Sequence, residues 1–265
     1  MTRGTYQHFM PAAFVGRFSW DLSKRARSRP VWVRSVHAPR SYVSSASRIA
    51  GQIGLYDLSG DSLGSGGTVD IAWGYERTLP GALDRLVQRD GLEGRLWVTA
   101  LVPFVASLFV RGSEFQQEFA TRIPAAVSRL VGEVDNATNA RLIDLQVLLA
   151  PVMAARWAVV HLPASAELIT SDRGYALTTT PLGELPSYVI PIDPRTALVV
   201  TPQRCGQTLV WSGERWIAEV AHFDAPEAEA QSLNRRRRRS RAMPSTDRRR
   251  LSSTPQRLSS AQPSA

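Results

Sequence analysis

At 265 residues and 43% apolar composition the chain is long enough to bury a sizeable core, as one large domain or two small ones. Its formal charge of +9 points to nucleic acid only until it is located: ten arginines and one aspartate lie beyond Gln231, and residues 1–230 hold 22 basic and 22 acidic side chains. The folded body is thus expected to be neutral, and a pI of about 10.6 is no argument for a basic face on it. Cys205 is the only cysteine, which excludes an internal disulfide and a cysteine-based zinc site and fits a reducing compartment such as the cytoplasm.

In chain order, Gln7-His8-Phe9-Met10-Pro11 opens the ordered part. Residues 12–18 read as a short apolar turn that packs Phe14 and Phe18 inward, and residues 19–30 as a basic, polar loop. Pro30 to Val36 alternates like a half-buried strand, Ile53 to Leu58 reads as a second short one, and Ser59 to Gly67 as a Gly/Ser loop. The period then becomes helical. Ile71, Tyr75, Leu79, Leu83, Leu86 and Val87 share a face with a break at Pro80-Gly81, and helices follow over 92–111, 113–132 and 139–157. Leu142, Leu145, Leu149, Val152 and Met153 form the inward stripe of the last. The longest uncharged apolar stretch, Leu96 to Val110, has 15 residues and contains Pro103. That is short of the roughly 18 needed to cross a bilayer, so it reads as a buried helix.

Trp157 to Tyr175 gives the clearest strand-turn-strand signal, with a turn at Pro163-Ala164-Ser165 and a second arm running through Leu168-Ile169 to Thr170, Ser171 and Asp172. Strands are predicted at 187–192 and 196–200 around a tight Asp193-Pro194-Arg195 turn. Thr208 to Val220 is ambiguous between strand and helix, and a short closing helix is predicted over 226–234. The whole predicts one α+β domain over 1–230, a helical layer (about 70–155) packed on a small, mainly antiparallel sheet. Residues 231–265 read as an Arg/Ser-rich disordered tail.

No phosphate loop, nucleophile elbow, His-Glu-x-x-His or dinucleotide fingerprint is present, and Gly64-Ser65-Gly66-Gly67 lacks the lysine that a phosphate loop needs. The candidates are single side chains. His8, ahead of Pro11, suits a general base or metal ligand, or else caps a chain end. Asp172 either presents a carboxylate for acid/base or metal work or closes an Asx turn in which Gly174 takes a positive φ. Glu76 and Arg111 lean inward from helix patterns and form either part of a catalytic set or a structural ion pair. His161, inside an apolar strand, reads as a satisfied core residue. Nothing assigns a metal or cofactor.

The opening Gln7 to Pro11 with Phe14 and Arg17-Phe18 in register, Gly54-Leu55-Tyr56, the helices carrying Glu76 and ending in Arg111, Leu168 to Asp172, and Ile190 to Pro194 together resemble a bacterial family known as domain of unknown function 4238. The resemblance covers about residues 7–202. Members usually follow Ser-Asp with Asn-Pro, where this chain has Arg173-Gly174, and often close with a helix containing Asn and aromatic residues, where here Asn234 runs into five arginines. The family name supplies no activity. The resemblance implies that His8, Glu76, Arg111 and Asp172 belong to one site.

Two functions follow as expectations. One is an enzyme acting on an anionic, phosphoester-type substrate, with His8 as acid/base or ligand, Asp172 and Glu76 as carboxylate partners, and Arg111 steadying the anion. The other is a noncatalytic binding or regulatory module whose polar residues hold the N-terminal segment against the sheet. In either, Arg235 to Arg250 offers nonspecific contact to nucleic acid or an anionic membrane surface, or is simply solvated.

Overall fold

The computed structural model describes residues 6–35, 40–56, 58, 67–112, 114–121, 133–178, 186–202, 209–212, 214, 216–218 and 220–226. The expected tail, the Gly/Ser loop up to Gly66, residues 122–132 of the helix predicted over 113–132 and all but the first residue of the closing helix lie outside them.

The fold is α+β. Strand β1 (Tyr6–His8) leads through Pro11 into α1 (Ala12–Val15) and a 3-10 turn (Gly16–Phe18). As expected, Phe14 is buried and Phe18 packs on it at 5.9 Å. Strand β2 (Pro30–Arg34) buries Val31, exposes Trp32, and pairs with an unpredicted β3 (Ser41–Ser45). Strand β4 (Gly51–Ile53) pairs antiparallel with β1 and ends earlier in the chain than expected. The reason is Gly54, whose φ of +67° turns the chain, so that Leu55 and Tyr56 enter the core from a turn.

The helical layer begins with α2 (Gly67–Ala72), a 3-10 turn (Gly74–Arg77) and α3 (Leu79–Gln88). The expected break at Pro80-Gly81 is corrected to the residues just before it, because proline fits the first turn of a helix, where its missing N–H costs nothing. Ile71, expected inward, is 72% exposed. Strand β5 (Leu92–Glu93) precedes α4 (Gly94–Leu96), a π-helical turn (Trp97–Leu101) and α5 (Val102–Val110). The helix runs through Pro103, which sits where the wide π turn gives way to α geometry. Helix α6 (Phe115–Ala120) and α7 (Glu133–Met153) complete the layer, and Arg156 and Trp157 belong to the next strand instead.

That strand, β6 (Arg156–His161), lies inside a five-stranded sheet with β7 (Ala176–Thr178), β8 (Ser187–Pro191), β9 (Thr196–Thr201) and β12 (Ala221–Asp224). The order is β12-β6-β9-β8-β7, antiparallel apart from the parallel β12–β6 pair. The predicted hairpin from Trp157 is not formed. Residues 162–175 form a loop, tied down by Leu162 N–H and Leu168 N–H donating to Arg195 O and Pro194 O at 2.7 and 2.6 Å, and β6 pairs with β9 instead. The tight 193–195 turn forms as expected, with Ile192 N–H bonded to Thr196 O at 2.9 Å. The ambiguous 208–220 segment yields β10 (Leu209–Trp211) and β11 (Trp216–Ala218), the latter paired with β5. Trp97 of the π turn meets Trp157 of β6 edge to face at 5.9 Å, joining helical layer and sheet in one core.

Candidate functional site

Tyr56 is the centre about which the candidate residues assemble. Its N–H donates to Gln7 Oε1 at 2.6 Å, and its hydroxyl lies 3.3 Å from His8 O. The turn at Gly54 and the β1–β4 pairing therefore bring the opening motif onto this ring. Arg111 caps α5 at its carboxyl end, where a cation also meets the favourable end of the helix dipole.

The Arg111 side chain is buried. Its Nε donates to Tyr56 Oη at 3.3 Å, Nη1 to Tyr75 Oη at 3.0 Å and to Glu76 Oε1 at 2.5 Å, and Nη2 to His8 O. The guanidinium also lies over the Trp73 ring, 4.6 Å from its centroid. Four of the five N–H groups of an arginine are thus engaged with protein oxygens. Burial pulls the Arg111 pKa down, but the oxygens of Tyr75, Tyr56 and Glu76 outweigh it and hold it above its ordinary value. Tyr75, pushed up to about 12 chiefly by burial, stays a neutral phenol and shares a 2.6 Å hydrogen bond with Ser107. Glu76, on the 3-10 turn after Trp73, is the one carboxylate paired with Arg111 among the described residues, and its side chain remains 34% exposed.

His8 reaches this cluster through its backbone carbonyl. Its imidazole points elsewhere: Nε2 lies 3.1 Å from Ser47 O, so Nε2 carries the proton and Nδ1 is left as an acceptor. Desolvation, aided by the charges of Arg27 and Arg111, lowers its pKa, so the ring is neutral near pH 7.

Asp172 stands apart from this cluster. It is exposed, and its Oδ1 accepts the N–H of Arg173 at 3.1 Å, while Gly174 has φ +71° and donates to Ser171 O. The positive φ of Gly174 is as expected, but the Asx turn is corrected: the Gly174 N–H that would close it is donated to Ser171 O, and the carboxylate accepts only from the next residue. It borders a cleft of about 60 Å³ with Gly112, Glu114, Glu118 and Tyr175, one residue beyond Arg111 in the chain. Arg173 closes that cleft by pairing with Glu114. The structure therefore unites Arg111, Glu76 and the His8 backbone and leaves the Asp172 carboxylate on a neighbouring surface.

Arg141, which sequence reasoning passed over, is a second arginine against the Tyr56 ring. It is fully buried on α7, with its guanidinium 5.3 Å from the Tyr56 centroid and 5.1 Å from that of Phe115. Its Nε and Nη1 donate to Val110 O and Leu55 O at 3.2 and 3.4 Å, and Nη2 has no partner among the described residues. Its pKa is lowered, by burial first and also by Arg111. The signal was present: Arg141, Leu145, Leu148 and Val152 follow helical spacing, so an arginine occupied a core position.

His161 is half-buried, and its Nε2 lies 3.0 Å from Nδ1 of His222 on β12, so it is satisfied as expected, though by a partner the sequence did not indicate. Among the described residues no cluster of three or more His, Cys, Asp or Glu has the arrangement of a metal site, and no helix is long and apolar enough to cross a membrane. No family model, curated protein or solved structure matches this chain.

Proposed function

We propose that the protein is a noncatalytic binding or regulatory module for an anionic, phosphoester-type ligand, in which the His8 backbone, Glu76 and Arg111 fasten the N-terminal segment to the helical layer. One observation carries this reading. The Arg111 guanidinium, which would have to face a substrate anion, has its N–H groups on His8 O, Tyr56, Tyr75 and Glu76. A buried, mutually satisfied network rigidifies a fold, and prying it open would leave several polar groups unpaired. The anionic ligand is supported by the surplus of cationic donors about Tyr56 and by the arginines from Arg235 to Arg250, which add nonspecific nucleic-acid contact. Membership of family 4238 belongs to the same proposal, supported by the meeting of Gln7, Tyr56, Glu76 and Arg111. A cytoplasmic location fits the single cysteine.

The second reading is a phosphoester-directed enzyme using His8, Glu76, Asp172 and Arg111. It is favoured by the neutral His8 ring, whose Nδ1 is an acceptor of the kind a general base needs. Thermal melts of wild type, His8→Ala and Asp172→Ala, with divalent metals and a nucleotide panel, separate the two. A binding module keeps its ligand-induced shift in both variants, because His8→Ala retains the carbonyl that Arg111 uses. Variants that melt like wild type but lose the shift, together with turnover in the wild type, would establish the enzyme.

A further inference from the structure

Residues 1–230 are neutral only in sum. Residues 17–48 hold eight arginines and lysines against Asp21 alone, a net +7 that the rest of the body offsets with an equal negative charge. This stretch is the lead-in loop and the β2–β3 ribbon. Two of its cations are taken, Arg17 by Asp84 and Lys24 by Asp21. Arg25, Arg27, Arg34, Arg40 and Arg48 are exposed, and none of them forms an ion pair among the described residues. Ser41 lies opposite Arg34, so Arg34 and Arg40 stand at one end of the ribbon. Arg27 and Arg48, each three residues outside the Pro30–Ser45 pair, belong to the other end.

Between the two groups of cations is a pair of indoles. Trp32 sits at mid-ribbon opposite Val43, on the face it shares with Pro30 and Arg34. Val31 on the opposite face is buried, so the ribbon is anchored through that side and turns its tryptophan side to water. Trp20 packs against Trp32 with centroids 5.7 Å apart, yet the two rings remain 55% and 67% exposed. A contiguous exposed aromatic surface is unfavourable in water and marks a contact for something else. The loop holds Trp20 in place from both sides. Ser19 is buried, its hydroxyl donating to Asp21 O at 3.2 Å and accepting Asp21 N–H at 3.0 Å. Arg29, just ahead of β2, donates from Nε to Lys24 O and from Nη2 to Leu22 O, both at 3.0 Å. The ring pair is thus ordered before any ligand arrives, which lowers the cost of binding one.

We propose that the tryptophan face of the β2–β3 ribbon binds single-stranded nucleic acid, with bases stacked on Trp20 and Trp32 and phosphates held by the arginines at the ribbon ends. Stacking rings flanked by cations are the two requirements of such a surface, and a single strand meets both because its bases are free of partners. In a duplex the base faces are already stacked on one another. An anionic membrane would satisfy the charge, but Arg34, Ser41 and Ser45 share the tryptophan face and would be desolvated with the rings. The assignment rests on the anionic-ligand reading and gives that ligand a surface contact, away from the saturated Arg111.

The test is fluorescence anisotropy on the full chain with Arg235 to Arg239 and Arg248 to Arg250 replaced by serine, so that the tail is silent. The probes are a labelled oligo(dT) and oligo(U) of about 12 nucleotides, a duplex of the same length, and vesicles of phosphatidylserine and phosphatidylcholine in equal parts. Single strands are expected to bind better than duplex. Trp32→Ala and Trp20→Ala should each weaken single-strand binding roughly 5- to 150-fold, the worth of one stacked base, and Trp32→Phe should restore most of it. Arg34→Gln should make the log–log salt slope shallower by about 0.7. Because both rings are exposed, thermal melts should show Trp32→Phe folded like its parent, which keeps the test open if an alanine variant is unstable. Single-strand affinity unchanged in folded Trp32→Ala overturns the ribbon assignment. So does tryptophan-dependent binding to the vesicles with none to the oligonucleotides. If no oligonucleotide binds but mononucleotides still raise Tm, the ribbon assignment fails while the anionic-ligand reading stands. If neither oligonucleotides nor mononucleotides have any effect, both fall.

Discussion

Arg111 is irreplaceable in the described network because its contacts require a planar fork. Lysine presents one charge point and three donors on a flexible stem, and cannot span Tyr56, Tyr75, Glu76 and the His8 carbonyl together. Arg111→Ala is expected to cost about 3 kcal/mol in urea unfolding, at the low end for a broken buried pair because water can reach Glu76, and Arg111→Lys about 2. Glu76→Gln should cost no more than about 1 kcal/mol, since it keeps the shape and one acceptor. If Glu76→Gln proves the more damaging, the carboxylate has a role beyond pairing. The ion pair was legible in the sequence, as two charges leaning inward need each other. The part His8 takes was not, because sequence patterns name side chains and Arg111 holds a backbone carbonyl.

The histidines also set a pH dependence. His8, His161 and His222 all have pKa values lowered below the ordinary 6.5 of histidine, mainly by burial. The unfolded chain therefore takes up protons before the folded one does, and stability rises with pH between the folded and unfolded values. The contribution is fully present above about 6.5 and is lost as pH falls below it toward the depressed folded values. Urea midpoints recorded from pH 8 down to pH 5 should hold level and then fall, and the fall should shrink in His161→Gln, which leaves His222 without its ring partner. A midpoint that climbs on acidification would contradict the burial of these rings.

At the scale of elements, two glycines fix the approach of segments on either side of the site. A Cβ on Gly16 would lie 2.3 Å from the carbonyl oxygen of Ala26, a backbone atom that cannot swing aside. A Cβ on Gly174 would meet Leu108 Cδ2 at 2.9 Å, the end of a flexible side chain, but there φ is +71°. Gly174→Ala should therefore cost about 1–2 kcal/mol, mostly backbone strain, and Gly16→Ala more, about 3 kcal/mol, as overpacking against fixed backbone. Paired thermal melts give the order. The positive φ of Gly174 could be foreseen from an aspartate two residues earlier, whereas the Gly16 contact depends on a loop returning from residue 26. The same division explains the missing hairpin. Local turn signals at Pro163-Ala164-Ser165 were real, but β6 is apolar on both faces and finds in β9 a partner 40 residues on that pairs along its full length. Strand pairing is decided by such tertiary neighbours, which local propensity does not see.

For the whole molecule the separation of charge matters most. A neutral body carries an appended block of ten arginines, so attraction to nucleic acid and stability of the fold are expected to be independent properties. No aromatic residue follows Phe223, so bases have no ring in the tail to stack on and binding through it should be indifferent to sequence. If five arginines touch phosphates of a duplex, the log–log salt slope is about −4.5, and affinity falls roughly 500-fold between 50 and 200 mM salt. Replacing Arg235 to Arg239 and Arg248 to Arg250 by serine should abolish that binding in a filter or anisotropy assay and leave Tm within about 1 °C of wild type. If the serine chain still binds duplex with an unchanged slope, the phosphate contacts must come from the body, whose basic and acidic side chains are equal in number overall but not along residues 17–48.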